Sequence, residues 1–150
     1  MPIPDFTDLG MLPAGVHDCT LPEAQGILCS NDRRAAIWSG LLGFLNWAEH
    51  LPPPTAYLID GSYVTDKPLP GDLDLVVDIS GCGEPNYQHW FDAWDQNREY
   101  VKQTFEVDFY PFVVGITNDF SAFFQYIRVE EALRRGIPPY VRKGILRVEL

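Results

Sequence analysis

The sequence predicts an α+β fold, a small mixed sheet with helices packed against it. Two observations carry that expectation. Apolar residues recur with a helical period in some stretches and alternate with polar ones in others, and the two kinds are interleaved along the chain. At 150 residues and 46% hydrophobic content, the chain can bury one real core and is too short for a second full domain, so 1–150 reads as one unit.

The elements follow in order. Residues 1–19, with Pro2, Pro4, Pro13 and two glycines, read as an extended N-terminal arm over the surface. At "TLPEAQGILC" Thr20 caps a helix, with Glu23 three residues on to complete a capping box and Pro22 tolerated in the first turn. A longer helix runs from about Asp32, with Ile37, Leu41, Leu42, Phe44, Leu45 and Ala48 at helical spacing, and "LPPP" stops it. The period then changes. "TAYLID" reads as a strand, "GSYVTDKPLPG" as a loop, and "DLDLVVDI" as a strand with one acidic face and one apolar face. After a break at "SGCGEPN", a helix over "YQHWFDAWDQNREYVKQ" leads to a strand, "FEVDFYPFV". A short helix, "NDFSAFFQYIRVEEALRRG", a turn-like "IPPYVRKG" and a short strand, "ILRVEL", follow.

Charge and cysteine content exclude several classes. Net charge is −10, but residues 1–127 hold 5 Lys/Arg against 18 Asp/Glu, while residues 128–150 hold 6 against 3. The acidic bulk repels a long duplex nucleic acid. The basic C-terminal segment (128–150) suits a small anion or an RNA end, or else is a solvated tail packed on an acidic body. Cys19, Cys29 and Cys82 are an odd set without a C-x-x-C pair, which argues against a disulfide framework and a zinc ribbon. No stretch reaches the ~20 apolar residues of a membrane span, and "MPIPDFTDLG" lacks the features of a signal peptide. The expectation is a cytoplasmic protein with no membrane partner.

The segment from Ile59 to Ile79 carries the chemistry. Residues two apart on a strand share a face, so Asp72 and Asp74 stand side by side, roughly 6–7 Å apart, where like charges repel. That placement makes sense around a cation, and Mg²⁺ takes one or two carboxylates plus water and substrate phosphates. Asp108, in "EVDFY", offers a third carboxylate if its strand lies beside the first. Three carboxylates can hold two divalent ions about 3.5–4 Å apart, the arrangement that clamps attacking and leaving oxygens in phosphoryl or nucleotidyl transfer. Gly61 and Ser62, at a strand end, let backbone approach an anion and add a hydroxyl donor.

Gly61, Ser62, Asp72, Asp74 and Asp108, as G-S-x9-D-x-D with an aspartate on a later strand, resemble the signature of the DNA polymerase β-type nucleotidyltransferase superfamily. The likeness is closest to the small minimal nucleotidyltransferases of bacteria, their phages and plasmids. "GMLPAGVHDCTLPEAQ" and "RKGILRVEL" also look like an uncharacterised nucleotidyltransferase-like bacterial family. The signature covers residues 55–110. The resemblance implies a small mixed sheet flanked by helices, Mg²⁺ or Mn²⁺ dependence, and transfer of a nucleoside monophosphate from a triphosphate such as ATP. By it, Asp72 and Asp74 bind both metals, Asp108 binds the catalytic metal and helps deprotonate the acceptor hydroxyl, and Gly61 and Ser62 hold the β and γ phosphates. Two departures stand out. The helical acceptor-binding domain of larger relatives is missing or reduced, which points to a partner protein or a homodimer. Asp60 precedes the glycine, where an apolar or aromatic residue is commoner, and a carboxylate there has to turn away from phosphate.

Further candidates carry weaker signals. Lys67, Arg142 and Lys143 offer cations for a triphosphate or acceptor, against a plain reading as loop and turn residues. Arg33 and Arg34 open a helix, an unfavourable place for cations, so a salt bridge or an RNA contact is expected of them. His17, His50 and His89 have no ligand-spaced partner. Phe91, Trp90 and Trp94, like Phe123, Phe124 and Tyr126, suit a core or, if exposed, a base-stacking platform. The expected function is a nucleotidyltransferase acting on a protein, RNA or small-molecule acceptor, with a toxin–antitoxin or phage-defence setting by analogy. The alternatives are a catalytically silent nucleotidyltransferase-fold protein that binds or regulates a partner, and a metal-dependent phosphodiester hydrolase built on the same carboxylates.

Overall fold

The first helix, α1 (Leu21–Leu28), starts where its cap dictates. The Thr20 hydroxyl accepts from the Glu23 N–H and Glu23 reaches back to the Thr20 N–H, closing the capping box. Helix α2 (Asp32–Trp47) is capped by Asn31, whose side chain accepts from the Arg34 N–H. It gives way to a short 3-10 turn (Ala48–His50) before the prolines. The protein is described by a computed structural model over residues 3–117, 125, 127, 129–138 and 140–149.

Among the described residues, five strands form one mixed sheet: β1 (Gly15–Cys19), β2 (Ala56–Asp60), β3 (Leu73–Asp78), β4 (Val107–Phe112) and β5 (Gly144–Val148), in the order β1-β5-β2-β3-β4. β1 runs parallel to β5 and β3 to β4, whereas β2 is antiparallel to both of its neighbours. Helix α3 (Asn86–Phe105) provides the crossover that a parallel β3–β4 pair requires. Helix α4 (Val129–Arg135) precedes β5 and completes the four α-helices seen among the described residues. The architecture is α+β, with a five-stranded mixed sheet. Among the described residues no helix is long and apolar enough to cross a membrane.

The main core lies on one face of the sheet. Tyr57 and Ile59 of β2, Leu73, Leu75 and Val77 of β3, Val107 and Phe109 of β4, and Leu146 and Val148 of β5 pack with Ile37, Trp38, Leu41 and Phe44 of α2 and Trp90 and Val101 of α3. Phe109 anchors β4 there, its ring centroid 5.2 Å from Phe44, 6.3 Å from Trp47 and 6.3 Å from Trp90. Because side chains alternate along a strand, the neighbours of these residues face away from the helices. Helices α2 and α3 approach closely at Gly40, where an added β-carbon would lie 2.0 Å from the Phe105 carbonyl oxygen. There α3 ends on Glu106 in the left-handed region, at φ 57°, and the chain turns straight into β4.

Three expectations are refined. Residues 15–19 of the arm are a paired strand, joined to β5 across more than a hundred residues of sequence. Both faces of β3 are buried beyond Asp74, since Val76 is as enclosed as Leu75 and Val77, so acidic character is confined to the strand's two ends. Trp90 is core, with its indole N–H donating to the Pro52 carbonyl at 2.8 Å, and Trp94 is half-buried. Phe123, Phe124 and Tyr126 lie outside the described residues, as does much of the helix expected from residue 118 on.

Candidate functional site

The site sits at one end of the sheet, on the face opposite the helical core. β2 ends there with Asp60, while β3 and β4 begin there. The register sets Asp60 opposite Asp74 and Asp74 opposite Asp108, a row of three carboxylates across adjacent strands. Leu73 and Leu75, on either side of Asp74, are fully buried in the core, as are Val107 and Phe109 on either side of Asp108. The same alternation that buries the apolar residues therefore turns both aspartates to the other face. Asp72, just ahead of β3, joins them. Asp72, Asp74 and Asp108 each present a carboxylate oxygen, and the three oxygens lie within 4.8 Å of one another.

An all-oxygen, all-carboxylate donor set of this kind matches hard divalent cations such as Mg²⁺ or Mn²⁺ and lacks the His and Cys ligands that zinc prefers. Three like charges at this spacing are mutually unfavourable unless positive charge compensates them. The residues present therefore fit a divalent cation.

Gly61 shapes the rim beside Asp74. Its φ is +75°, and a β-carbon there would lie 2.2 Å from Asp74 Oδ2. Only glycine permits both the backbone angle and this approach. Its N–H donates to Asp60 Oδ1 at 2.6 Å, so Gly61 makes room for the Asp74 carboxylate while its own donor is committed to Asp60. Ser62 follows in a 3-10 turn (Gly61–Val64), with its carbonyl accepting from the Thr65 N–H at 3.2 Å and the Thr65 hydroxyl at 2.7 Å.

Asp60 stands beside Asp74, its partner in the register, but is closed off from solvent. It is fully buried, with Lys143 Nζ 3.7 Å from Oδ1 and no hydrogen-bond partner for Oδ2 among the described residues. Burial pushes its carboxyl up to about 7, against the opposing pull of Lys143 and the Gly61 N–H. Lys143 thus belongs to the site's support through Asp60, and its own N–H is held by the Gln125 carbonyl at 2.9 Å. The Arg142 guanidinium donates to Tyr140 O within its own turn, at 2.8 Å. Lys67 enters through its main chain, its carbonyl accepting from Arg34 Nε at 3.3 Å and its N–H donating to Thr65 Oγ1 at 3.2 Å.

Two arginines at the start of α2 fix the loop between Gly61 and Asp72. Arg34 is only 2% exposed and donates to the carbonyls of Leu28 (3.2 Å), Tyr63 (2.7 Å), Thr65 and Lys67. The Tyr63 hydroxyl returns a bond to the Arg34 carbonyl at 2.7 Å. Arg33 donates to the Pro70 and Gly71 carbonyls, at 3.2 and 2.9 Å, and ion-pairs with Glu106 just before β4. The expected salt bridge at this helix start is real, but the larger role is to hold both ends of the loop that carries the Gly-Ser turn and delivers Asp72.

Residues on α3 and β4 that the sequence signature does not name surround Asp108. The Tyr110 hydroxyl donates to its Oδ2 at 2.8 Å, Arg98 Nε lies 3.4 Å from Oδ1, and Lys102 Nζ lies 3.7 Å from Oδ2. Burial and the bond to Asp108 push the Tyr110 phenol up, which keeps it a proton donor. The signal in the sequence is faint: Arg98 and Lys102 are one turn apart and are the only cations in the helix that leads into β4. His50 and His89 lie elsewhere, in a groove of about 500 Å³ between the α2–β2 connection and α3 that none of the site's carboxylates lines. His17 holds the Pro13 carbonyl through Nε2 at 2.7 Å.

No curated protein and no solved structure gives a significant match to the chain. A family model does match, over residues 4–149, and the chain accordingly belongs to DUF6932, a family of unknown function.

Proposed function

We propose that this protein is a divalent-cation-dependent nucleotidyltransferase of the polymerase β-like fold, moving a nucleoside monophosphate from a nucleoside triphosphate to a hydroxyl acceptor. One observation carries the reading: Asp72, Asp74 and Asp108 converge at the sheet end onto which the Gly61–Ser62 turn opens. Asp72, Asp74 and Asp108 would hold Mg²⁺ or Mn²⁺. When bound, the ion supplies the positive charge that offsets these carboxylates and the developing charge on the phosphates. The chain's own groups do the rest. Gly61 lets the Asp74 carboxylate lie against the backbone of the turn, and the Ser62 hydroxyl is the donor to the triphosphate. Asp108 sits at the outer strand as the base nearest the acceptor side. In the transfer the acceptor oxygen bonds to the α-phosphorus, the bond from that phosphorus to the bridging oxygen of the β-phosphate breaks, and pyrophosphate leaves. The hydroxyl proton passes to Asp108.

The test is incubation with each α-labelled nucleoside triphosphate, Mg²⁺ or Mn²⁺ and a bacterial lysate, beside the Asp72→Ala/Asp74→Ala double variant. Label on a protein, RNA or small-molecule fraction with the wild type alone supports the reading and reveals base preference and acceptor together. Equal labelling by the double variant would overturn the site assignment. Nucleotide binding by calorimetry with no label in any fraction would favour the silent, binding form of the same fold.

A further inference from the structure

Helix α3 carries charges of both signs. Asp92, Asp95 and Glu99 are exposed, whereas its two cations, Arg98 and Lys102, both reach Asp108. The Arg98 guanidinium is also held over two rings, 5.0 Å from the centroid of Trp94 and 5.4 Å from that of Tyr110. Asp108 has little exposure, yet the Arg98 and Lys102 side chains remain 36% and 46% exposed. A single cation neutralises a single carboxylate, and Asp108 already accepts from Tyr110. Each half-open cation spends only part of its donor set on Asp108, so donors remain for a second anion once a divalent ion offsets the three carboxylates.

Their position says which anion. Across one end of the sheet stand, in order, the Gly61–Ser62 turn after β2, Asp74 on β3, Asp108 on β4, and then Arg98 and Lys102 on α3. On the nucleotidyltransferase reading, on which this inference rests, the triphosphate lies on the β2 side and the attacking hydroxyl lies beside Asp108. Cations next to that hydroxyl suit an acceptor with a negative charge close to its nucleophile. We propose that Arg98 and Lys102 bind a phosphate of the acceptor, so that the acceptor is a hydroxyl compound carrying a phosphate near the reacting oxygen. A sugar phosphate and the terminal nucleotide of a short RNA share this chemistry. A long polyanion does not suit a body whose residues 1–127 carry 18 acidic against 5 basic side chains. An uncharged protein hydroxyl leaves the pair without a role in transfer.

Calorimetry on the full chain in the presence of Mn²⁺ tests this, with ribose 5-phosphate, a short oligoribonucleotide with a free 3′ hydroxyl, and ribose as probes. The expected result is that both phosphate-bearing probes bind and ribose does not. Arg98→Gln/Lys102→Gln should then weaken phosphate-probe binding about tenfold or more while ATP binding changes little. Arg98→Lys, which keeps the charge beside Asp108, should retain binding, and Lys102→Gln alone should weaken it even if the double variant folds poorly. The tighter of the two phosphate probes identifies the source. Ribose binding as well as ribose 5-phosphate, or phosphate-probe binding unchanged in the variants, would overturn the inference and reduce the pair to counter-ions of Asp108. Because binding is read without turnover, its failure is separate from failure of label transfer.

Discussion

Gly61 and Asp60 make opposite demands on neighbouring positions. An alanine at 61 has to hold φ near +75° with its β-carbon 2.2 Å from Asp74 Oδ2. The backbone alone costs roughly 1–2 kcal/mol, and Asp74 has to move. Gly61→Ala should therefore lower the melting temperature and also weaken Mn²⁺ binding in calorimetry; unchanged Mn²⁺ affinity would show that Asp74 is not held by this contact. For Asp60, the folded carboxyl is raised from 3.8 to about 7. The native state then binds more protons than the unfolded one between those values, so stability falls as pH rises through them. Thermal melts in a chelator should show the wild type losing stability from about pH 5 to pH 7, with Asp60→Asn flattening that slope. The Cys19 thiol, pushed up to about 11 by burial, Glu23 and Asp18, should alkylate at neutral pH about a hundredfold more slowly than an ordinary thiol. Peptide mapping after timed iodoacetamide treatment reads that rate. The carboxylates and Gly61 were legible in the sequence because short spacing and strand alternation bring Asp72 and Asp74 together without knowledge of the rest. Arg98, Lys102 and Tyr110 were not, because their part depends on which side of α3 meets β4.

At the scale of elements, the loop from Gly61 to Gly71 owes its shape to α2. Replacing Arg34 with methionine removes the donors to four carbonyls and leaves buried acceptors unsatisfied. The expected loss is on the order of 3 kcal/mol in chemical denaturation, with faster hydrogen exchange concentrated in residues 61–71. Loss of stability without faster exchange there would mean that the loop is held by other contacts. The helices were readable because local signals define them: a capping box at Thr20, periodic apolar residues in α2, prolines after it. Strand β1 was not, since "GVHDC" presents only Val16 and Cys19 as apolar residues and Val16 is 42% exposed. Its reason for being a strand lies in β5, far along the chain. Arg34 was misleading for a related reason. A cation at a helix start is unfavourable in isolation, and here the carbonyls of a distant loop outweigh the dipole.

For the whole molecule, sheet order matters more than any single pairing. β5 lies between β1 and β2, with Leu146 opposite both His17 and Ile59. Removing residues 144–150 would expose the apolar side chains of β2 that face it and leave β1 without its partner. The expected outcome is a chain without a cooperative thermal transition; a folded, Mn²⁺-binding product would show that β2, β3 and β4 suffice. The same topology sets an order of events during synthesis. The strands that carry the carboxylates emerge from the ribosome long before the strand that must slot between the first two, and Asp60 cannot find Lys143 until then. The nascent chain passes through a stage with its acidic end assembled and β5 absent, exposing a strand edge of β2 to any neighbour or chaperone.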